Sequence, residues 1–308
     1  MKKIKVFAPA SIANLGCGFD IIGMALDEVG DVLEMTLDEQ GSGITIVNET
    51  EVPLPEDIED NVITPVLRKF FAMTGHDGRV EVRVLKKIYP GSGIGSSAAS
   101  SAAAAFGINE LFGAPLGEED VVVCAMEGEN LASGGYHADN AAPAVMGGIT
   151  LIRGSDPLDI IKLPVPGNLY CPVIHPHLMV STKEARSILP KEIPMHTAIT
   201  QWGNVGGLVA GLCTGNIELV GRAMRDAVAE PYRKQFIPGF DDLREKLHIA
   251  GALAMNISGS GPSVFALASR ADLAQKAATV MERHFRQHGI QFETYVVKVS
   301  NKGARLIA

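Results

Sequence analysis

The sequence predicts an α+β chain of two domains, and three observations predict it. The chain has 308 residues, about two domains at roughly 150 residues each. Strand-like and helix-like stretches are mixed, without the regular β-α-β repeat or G-x-G-x-x-G opening of a doubly wound sheet. Near mid-chain, Gly154–Gly167 carries Pro157, Pro164 and Pro166 and reads as a domain junction.

Each element has its own signal. Ile4, Val6 and Ala8 alternate as an opening strand, and Val32–Leu37 and Ile44–Val47 read as further strands around the turn Gly41-Ser42-Gly43. Asn61 opens a helical pattern that places Val62, Val66, Leu67 and Phe70 on one face. Val80, Val82 and Val84 alternate strictly with charged residues, the clearest strand. A Gly/Ser loop, Pro90–Ser97, leads into an Ala-rich helix from about Ser96 to Phe112, and Glu118–Asn130 reads as another helix. A strand at Ile149–Ile152 precedes the junction, and past it come a strand at Tyr170–Ile174 and several helices between Thr182 and Met224. A second Gly/Ser loop at Ser258–Pro262, a strand at Val264–Leu267, a helix at Ala271–His288 and a strand at Phe292–Val299 close the chain.

Composition narrows the function. Lys+Arg 27 against Asp+Glu 35 gives a net charge of −8, and no basic run exists to neutralise a nucleic-acid backbone. The four cysteines show no C-x-x-C or Cys/His spacing, so the expectation is reduced thiols in a cytoplasmic protein. Lys2, Lys3 and Lys5 precede an apolar stretch, but Pro9, Ser11 and Asn14 break it, and a signal peptide is not expected. The longest charge-free stretches, Ile88–Asn109 and Ile193–Ile217, are studded with Ser, Gly, Asn and Gln and do not read as membrane spans. Glycine is in excess, 33 residues or about 11% where about 7% is usual.

Several of those glycines sit where chemistry is expected. In Pro90-Gly91-Ser92-Gly93-Ile94-Gly95-Ser96-Ser97-Ala98, alternate glycines let successive N–H groups converge. The helix opening at Ser96 adds its free N–H groups and positive dipole end, which makes an anion cradle. It is not a Walker loop, because no Lys-Ser/Thr follows. Asn14 and Asp20, six apart in Ala8–Asp20, could bind a polar substrate. On spacing alone they read first as an ordinary turn, with Asp20 capping a helix from about Ile21. Glu127–Asn140 gathers Glu127, Glu129, His137, Asp139 and Asn140, enough for Mg²⁺ when one Glu joins a loop serine. Asn256–Pro262 is a second Gly/Ser loop, weak by itself.

Together and in this order, the opening Pro-Ala-Ser-Ile-Ala-Asn-Leu-Gly-x-Gly-Phe-Asp and the two Gly/Ser loops resemble the three motifs of the GHMP small-molecule kinases. The opening motif, with Gly-Gly-Tyr-His-Ala-Asp-Asn-Ala-Ala-Pro at 134–143 and Glu-Pro-Tyr-Arg-Lys-Gln-Phe-Ile-Pro-Gly-Phe at 230–240, is similar to the branch of that family that acts on homoserine. The match runs from residue 4 to about residue 300. Cys17 stands where the motif often has Pro, and Ile94 where the loop usually has Leu.

The resemblance implies a nucleotide-binding, ribosomal-protein-type βα domain over 1–160 and a ferredoxin-like domain over 161–308, with the active site in the cleft between them. It implies ATP held by Asn61 and by Pro90, Gly91, Ser92, Gly93, Ile94, Gly95, Ser96, Ser97 and Ala98. Mg²⁺ would lie on Ser97 and Glu129. It implies L-homoserine at Asn14, Asp20, His137, Asn140, Arg186, Arg233, Ser258 and Gly259, in a cytoplasmic homodimer. Asp20 would then face the ammonium of the amino acid and the two arginines its carboxylate, a chemically coherent set. Asp139 is the literal candidate for a base. Asn140, if it faces the hydroxyl, orients it without taking its proton. Two other readings stay open: a kinase of another small alcohol (threonine, mevalonate or a sugar), or a non-catalytic nucleotide or metabolite sensor on the same fold.

Overall fold

The computed structural model describes residues 1–167 and 169–308. Two sheets organise it. In the first, β1 (Lys2–Ala13) pairs antiparallel with β2 (Ile22–Asp38) from Lys2↔Leu37 to Ala13↔Gly23, with a register shift between Pro9 and Ser11. β3 (Gly43–Asn48) lies parallel to β4 (Arg79–Lys86), and β4 pairs with β2. The helices α2 (Ser96–Leu111) and α4 (Ala138–Met146) pack on this sheet, α1 (Ile63–Thr74) and α3 (Glu118–Ser133) pack against α2, and β5 (Ile149–Ser155) and β6 (Leu158–Leu163) extend the sheet from β2.

The second sheet follows a β-α-β-β-α-β course. β7 (Tyr170–Pro176) leads into α5 (Thr182–Ser187), α6 (Met195–Thr214), α7 (Ile217–Ala223), α8 (Glu230–Arg233) and α9 (Phe240–Ile249). Then come β8 (Ala254–Ile257), β9 (Val264–Leu267), α10 (Ala271–Gln287) and β10 (Phe292–Lys298). The sheet order is β10-β7-β9-β8, and every pair is antiparallel. The chain then returns to the first sheet, where β11 (Arg305–Ile307) pairs with β1.

Apolar spacing explains the cores. Val80, Val82 and Val84 on β4 are buried, and Val66, Leu67 and Phe70 of α1 and Ala98, Ala102, Ala103, Ala104 and Ala105 of α2 join them in one cluster. An Ala-rich helix fits between neighbours on every side because no side chain is large. A second cluster combines Ile12 and Met24 of the first sheet with Val173 and Phe265 of the second, so the two sheets share a core. Leu243 and Leu247 of α9, with Met281 and Phe285 of α10, close the far side of the second sheet.

Two local expectations are corrected. Asp20 caps no helix: it sits at φ 61°, and the chain enters β2 at Ile22. Gly18 and Gly23 flank it, and the turn sends the chain back along β1 instead of into a helix. The proline-bearing segment 154–167 is partly a hairpin, because its middle forms β6, hydrogen-bonded along β5. The crossing to the second sheet lies between Leu163 and Tyr170.

Candidate active site

The Gly/Ser loop after β4 is shaped by its glycines. Gly91, Gly93 and Gly95 have φ 76°, 76° and 69°, the left-handed region where a side chain is strained. A Cβ on Gly95 would also lie 2.2 Å from Ser11 Oγ, and one on Gly93 would lie 2.9 Å from the Gly261 carbonyl oxygen. Three carbonyls of the loop are bound from behind. Ser263 Oγ donates to the Ser92 carbonyl, Ser258 Oγ to that of Gly93 (2.6 Å) and the Ser11 N–H to that of Ile94 (3.1 Å). With the carbonyls taken, the first turn of α2 offers its unpaired N–H groups to a cavity of about 410 Å³ lined by Gly91, Gly93, Gly95, Ser96 and Ser97.

Lys87 lies under this loop. Its side chain is almost fully buried, its Nζ is 3.0 Å from the buried Asp31, and it donates to the Ser96 carbonyl (2.8 Å) and Ser96 Oγ (2.5 Å). Asp31 also accepts from the Ile88 N–H (2.8 Å) and Ser100 Oγ (2.5 Å). A charge pair satisfied on all sides is a fixed feature rather than a mobile one.

Glu129, on α3, faces the same cavity at 5% exposure. Burial pushes its carboxyl up to about 7, while the Ser97 hydroxyl bonded to it and the Lys87 charge pull the other way. Its Oε1 has no partner among the described residues. A buried, unpartnered carboxylate oxygen beside a serine hydroxyl at the mouth of an anion cradle fits Mg²⁺, which takes a carboxylate or two, phosphate oxygens and water.

The other end of the cavity gathers side chains from both halves of the chain: Asn14, Asp20, His137, Asp139, Asn140, Arg186 and Arg233 line it, with Gly259. The loop after β1 holds Asn14, Leu15 and Asp20 at φ 74°, 42° and 61°, conformations that non-glycine residues adopt rarely and chiefly at functional turns. The Asp20 N–H donates to Asn14 Oδ1 (2.9 Å), and Asn14 Nδ2 donates to the Gly259 carbonyl (3.1 Å). Arg186, on α5, makes a two-pronged pair with Asp20 at 3.0 and 2.9 Å. Arg233, on α8, is 4% exposed and donates to the carbonyls of Ala185 (3.1 Å) and Gly259 (3.0 Å). The Phe19 ring lies beneath both guanidinium groups, 5.6 Å from Arg186 and 5.1 Å from Arg233.

Between the two ends stand Asp139 and Asn140, in the first turn of α4. Asp139 is 4% exposed, and burial first, then the Asp20 and Glu129 charges, pushes its carboxyl up to about 7. Asn140 Oδ1 accepts from Ser11 Oγ (2.8 Å), which leaves its amide N–H groups to donate. Burial lowers the half-buried His137 imidazole below its ordinary value and keeps it neutral near pH 7.

Comparison with known proteins gives this arrangement its family. A model of the GHMP kinase N-terminal domain matches residues 61–148, and one of the GHMP kinase C-terminal domain matches residues 208–287. The chain is 42% identical to a homoserine kinase of Chlorobium phaeobacteroides and 39% identical to one of Pyrococcus abyssi, over 100% and 99% of both chains respectively. Its fold superposes on the crystal structure of homoserine kinase from Cytophaga hutchinsonii at a TM-score of 0.94 and 46% identity, covering 100% of this chain and 98% of that one. The chain belongs to the homoserine kinases of the GHMP kinase family.

For this GHMP kinase, most sequence-predicted site residues meet in the one cavity, Asn61 and Pro90 among them. Four do not line it. Ser92, Ile94, Ala98 and Ser258 are buried, at 1%, 0%, 0% and 0% exposure. Ser258 holds the Gly93 carbonyl rather than a substrate, Ile94 and Ala98 pack inward, and Ser92 contributes a carbonyl to Ser263. Sequence reading missed Lys87, Asp31, Ser11, Ser263 and Phe19. It also missed the apolar wall beside Asn61, formed by Leu54, Pro55, Val62 and Ile63. The available signal for Lys87 was its place between the end of a strand and the glycine loop. Cys17 is buried and its thiol is pushed up to about 12 by that burial, so it is a packing residue and not a nucleophile. No helix among the described residues is long and apolar enough to cross a membrane.

Proposed function

We propose that this chain transfers the γ-phosphoryl group of ATP to the side-chain hydroxyl of L-homoserine, giving ADP and O-phospho-L-homoserine, a step of threonine biosynthesis. One observation carries the reading: a single cavity joins an anion cradle at a helix N-terminus to an acid and two arginines, the opposite charges that a zwitterion needs. A sugar or mevalonate has no ammonium for Asp20.

The nucleotide phosphates lie along Gly91–Ser97, with the nucleoside towards Asn61 and its apolar wall. Ser97 and Glu129 would hold Mg²⁺, which neutralises charge on the β- and γ-phosphates when bound. Lys87, anchored by Asp31, holds the Ser96 end of the loop from beneath. The amino acid enters by exchange: its ammonium takes the Asp20 carboxylate and its carboxylate takes Arg186 and Arg233, while Asn14, His137 and the Gly259 carbonyl border it. Asn140 donates to the hydroxyl oxygen and orients it in line with the γ-phosphorus. As that oxygen bonds to phosphorus and the bond to ADP breaks, Asp139 takes the hydroxyl proton, since a carboxyl near 7 is matched to the task. Positioning and charge neutralisation supply most of the acceleration in such transfers.

We take residues 1–160 and 161–308 as the two domains, with β11 returning to the first. The enzyme works in the cytoplasm as a homodimer, without nucleic acid or membrane. The test is ADP release from Mg-ATP with L-homoserine beside L-threonine, L-serine, mevalonate and galactose. Turnover with homoserine well above the rest is expected. Preference for another alcohol would keep the mechanism and replace the substrate, and nucleotide binding without turnover would favour the sensor.

A further inference from the structure

α6 has an outer face that no other element among the described residues covers. Its twenty residues carry no Asp, Glu, Lys or Arg in a chain of net charge −8, and it packs chiefly on α7. The inner face buries Ala198, Gln201, Leu208 and Leu212. On the outside, Met195 is 66% exposed, Ile199 58% and Trp202 63%, and Gly206 and Cys213 are exposed as well. With the half-buried Val209 these residues fall at spacings of 4, 3, 4, 3 and 4, the seam of a coiled coil.

We propose that two copies of this chain pair through α6, antiparallel, with Trp202 of each copy seated over Gly206 of the other. The seam is complementary to itself in that register. A two-fold axis at the height of residue 204 sets Trp202 against Gly206, Ile199 against Val209 and Met195 against Cys213, a large side chain against a smaller one in each layer. A Cβ on Gly203 or Gly206 would meet nothing within 4 Å in the single chain, so this is where a second helix can approach closely. An uncharged face is also the one on which two copies of an acidic chain do not repel each other. At roughly 200 Å² for a large side chain, Ile193, Met195, Ile199 and Trp202 expose on the order of 450 Å² per copy. Two copies approach the roughly 1,000 Å² that a specific interface needs.

This rests on the homodimer reading above, and the test separates the two. Sedimentation of the full chain at micromolar concentration is expected to give twice the 32.6 kDa chain mass. G206E places a charge in open space on the single chain and improves helix propensity, so it is expected to halve the mass and keep homoserine turnover. M195C, oxidised with copper–phenanthroline, is expected to link to the native Cys213 of the other copy, each thiol losing a proton and an electron to the oxidant. M195C/C213A is expected to stay unlinked. The wild type is expected to stay unlinked too, since its two Cys213 residues would stand roughly 27 Å apart along the helix pair. A wild-type monomer would overturn both readings. A dimer that persists in G206E, with M195C failing to link, would keep the homodimer and overturn the α6 pairing.

Discussion

At the phosphate end of the cavity the charged groups are buried and already committed. Lys87 stands 3.0 Å from Asp31 with both side chains at 5% exposure or less, and the loop carbonyls are tied down by three hydrogen bonds from Ser11, Ser258 and Ser263. At the amino-acid end, Asp20 and Arg186 are 30% and 42% exposed and bond each other. The magnitudes separate the two ends. Breaking a buried pair costs about 3–5 kcal/mol, whereas an exposed one contributes about 0–1 kcal/mol. If the nucleotide binds as proposed, the phosphate end is a fixed template for a substrate whose charge is always the same. Asp20 and Arg186 close the other end on each other, and in the proposed exchange a substrate with only one charge would leave one of them without a partner, which favours a zwitterion.

Three changes sharpen this contrast. The largest effect is expected at the reacting centre, where Glu129→Gln and Asp139→Asn should each lower kcat about 100- to 1,000-fold with a small change in homoserine KM. Near-normal kcat in Asp139→Asn would remove Asp139 as the base and leave Asn140 as the only group at the hydroxyl. Next comes Arg233→Lys, which keeps the charge but loses the planar fork. Loss of a charge-assisted bond of about 1.5–3 kcal/mol should raise KM for homoserine about 10- to 100-fold and leave KM for ATP alone. Equal rises in both KM values would mean that the two ends are not independent. The smallest effect concerns stability and pH. The Asp139 carboxyl lies near 7 in the folded chain against about 3.9 when unfolded, so the folded state holds the extra proton between those values. Its contribution is fully present below about pH 4 and is lost as pH rises through 7. The Tm of the ligand-free protein should fall by a few degrees between pH 5 and 8 on this account, and Asp139→Asn should flatten that slope.

The parts of the site legible in the sequence are those written in contiguous residues. The alternating glycines before an Ala-rich helix announce an anion cradle by themselves, and Glu129 through Asn140 crowd enough polar groups to be noticed. Asn14 and Asp20 needed the motif resemblance, because their spacing alone fits an ordinary turn equally well. Their left-handed backbone becomes visible only once β1 and β2 are paired around them. Lys87 and Asp31 lie 56 positions apart in the chain, and each reads as a solvated charge until the fold buries both. Ser258 shows the opposite failure. A serine in a Gly/Ser loop looks like a ligand for substrate, yet sheet pairing at β8 and β9 turns it towards the Gly93 carbonyl. Between Met224 and the loop at 258 the sequence reading assigns no element. α9 lies there, with Phe240, Leu243 and Leu247 at helical spacing on its buried face.

The pairing of β11 with β1 sets the order in which this enzyme can be completed during its synthesis. Phe7 lies opposite Arg305, and Val6 opposite Leu306, so one edge of the first strand waits for residues made nearly three hundred positions later. Until those residues leave the ribosome, the strand that ends in the Asn14 loop presents open backbone groups, a template for wrong partners. One edge of the first strand at Lys5–Phe7 is thus held by β2 alone until residues 305–307 are made.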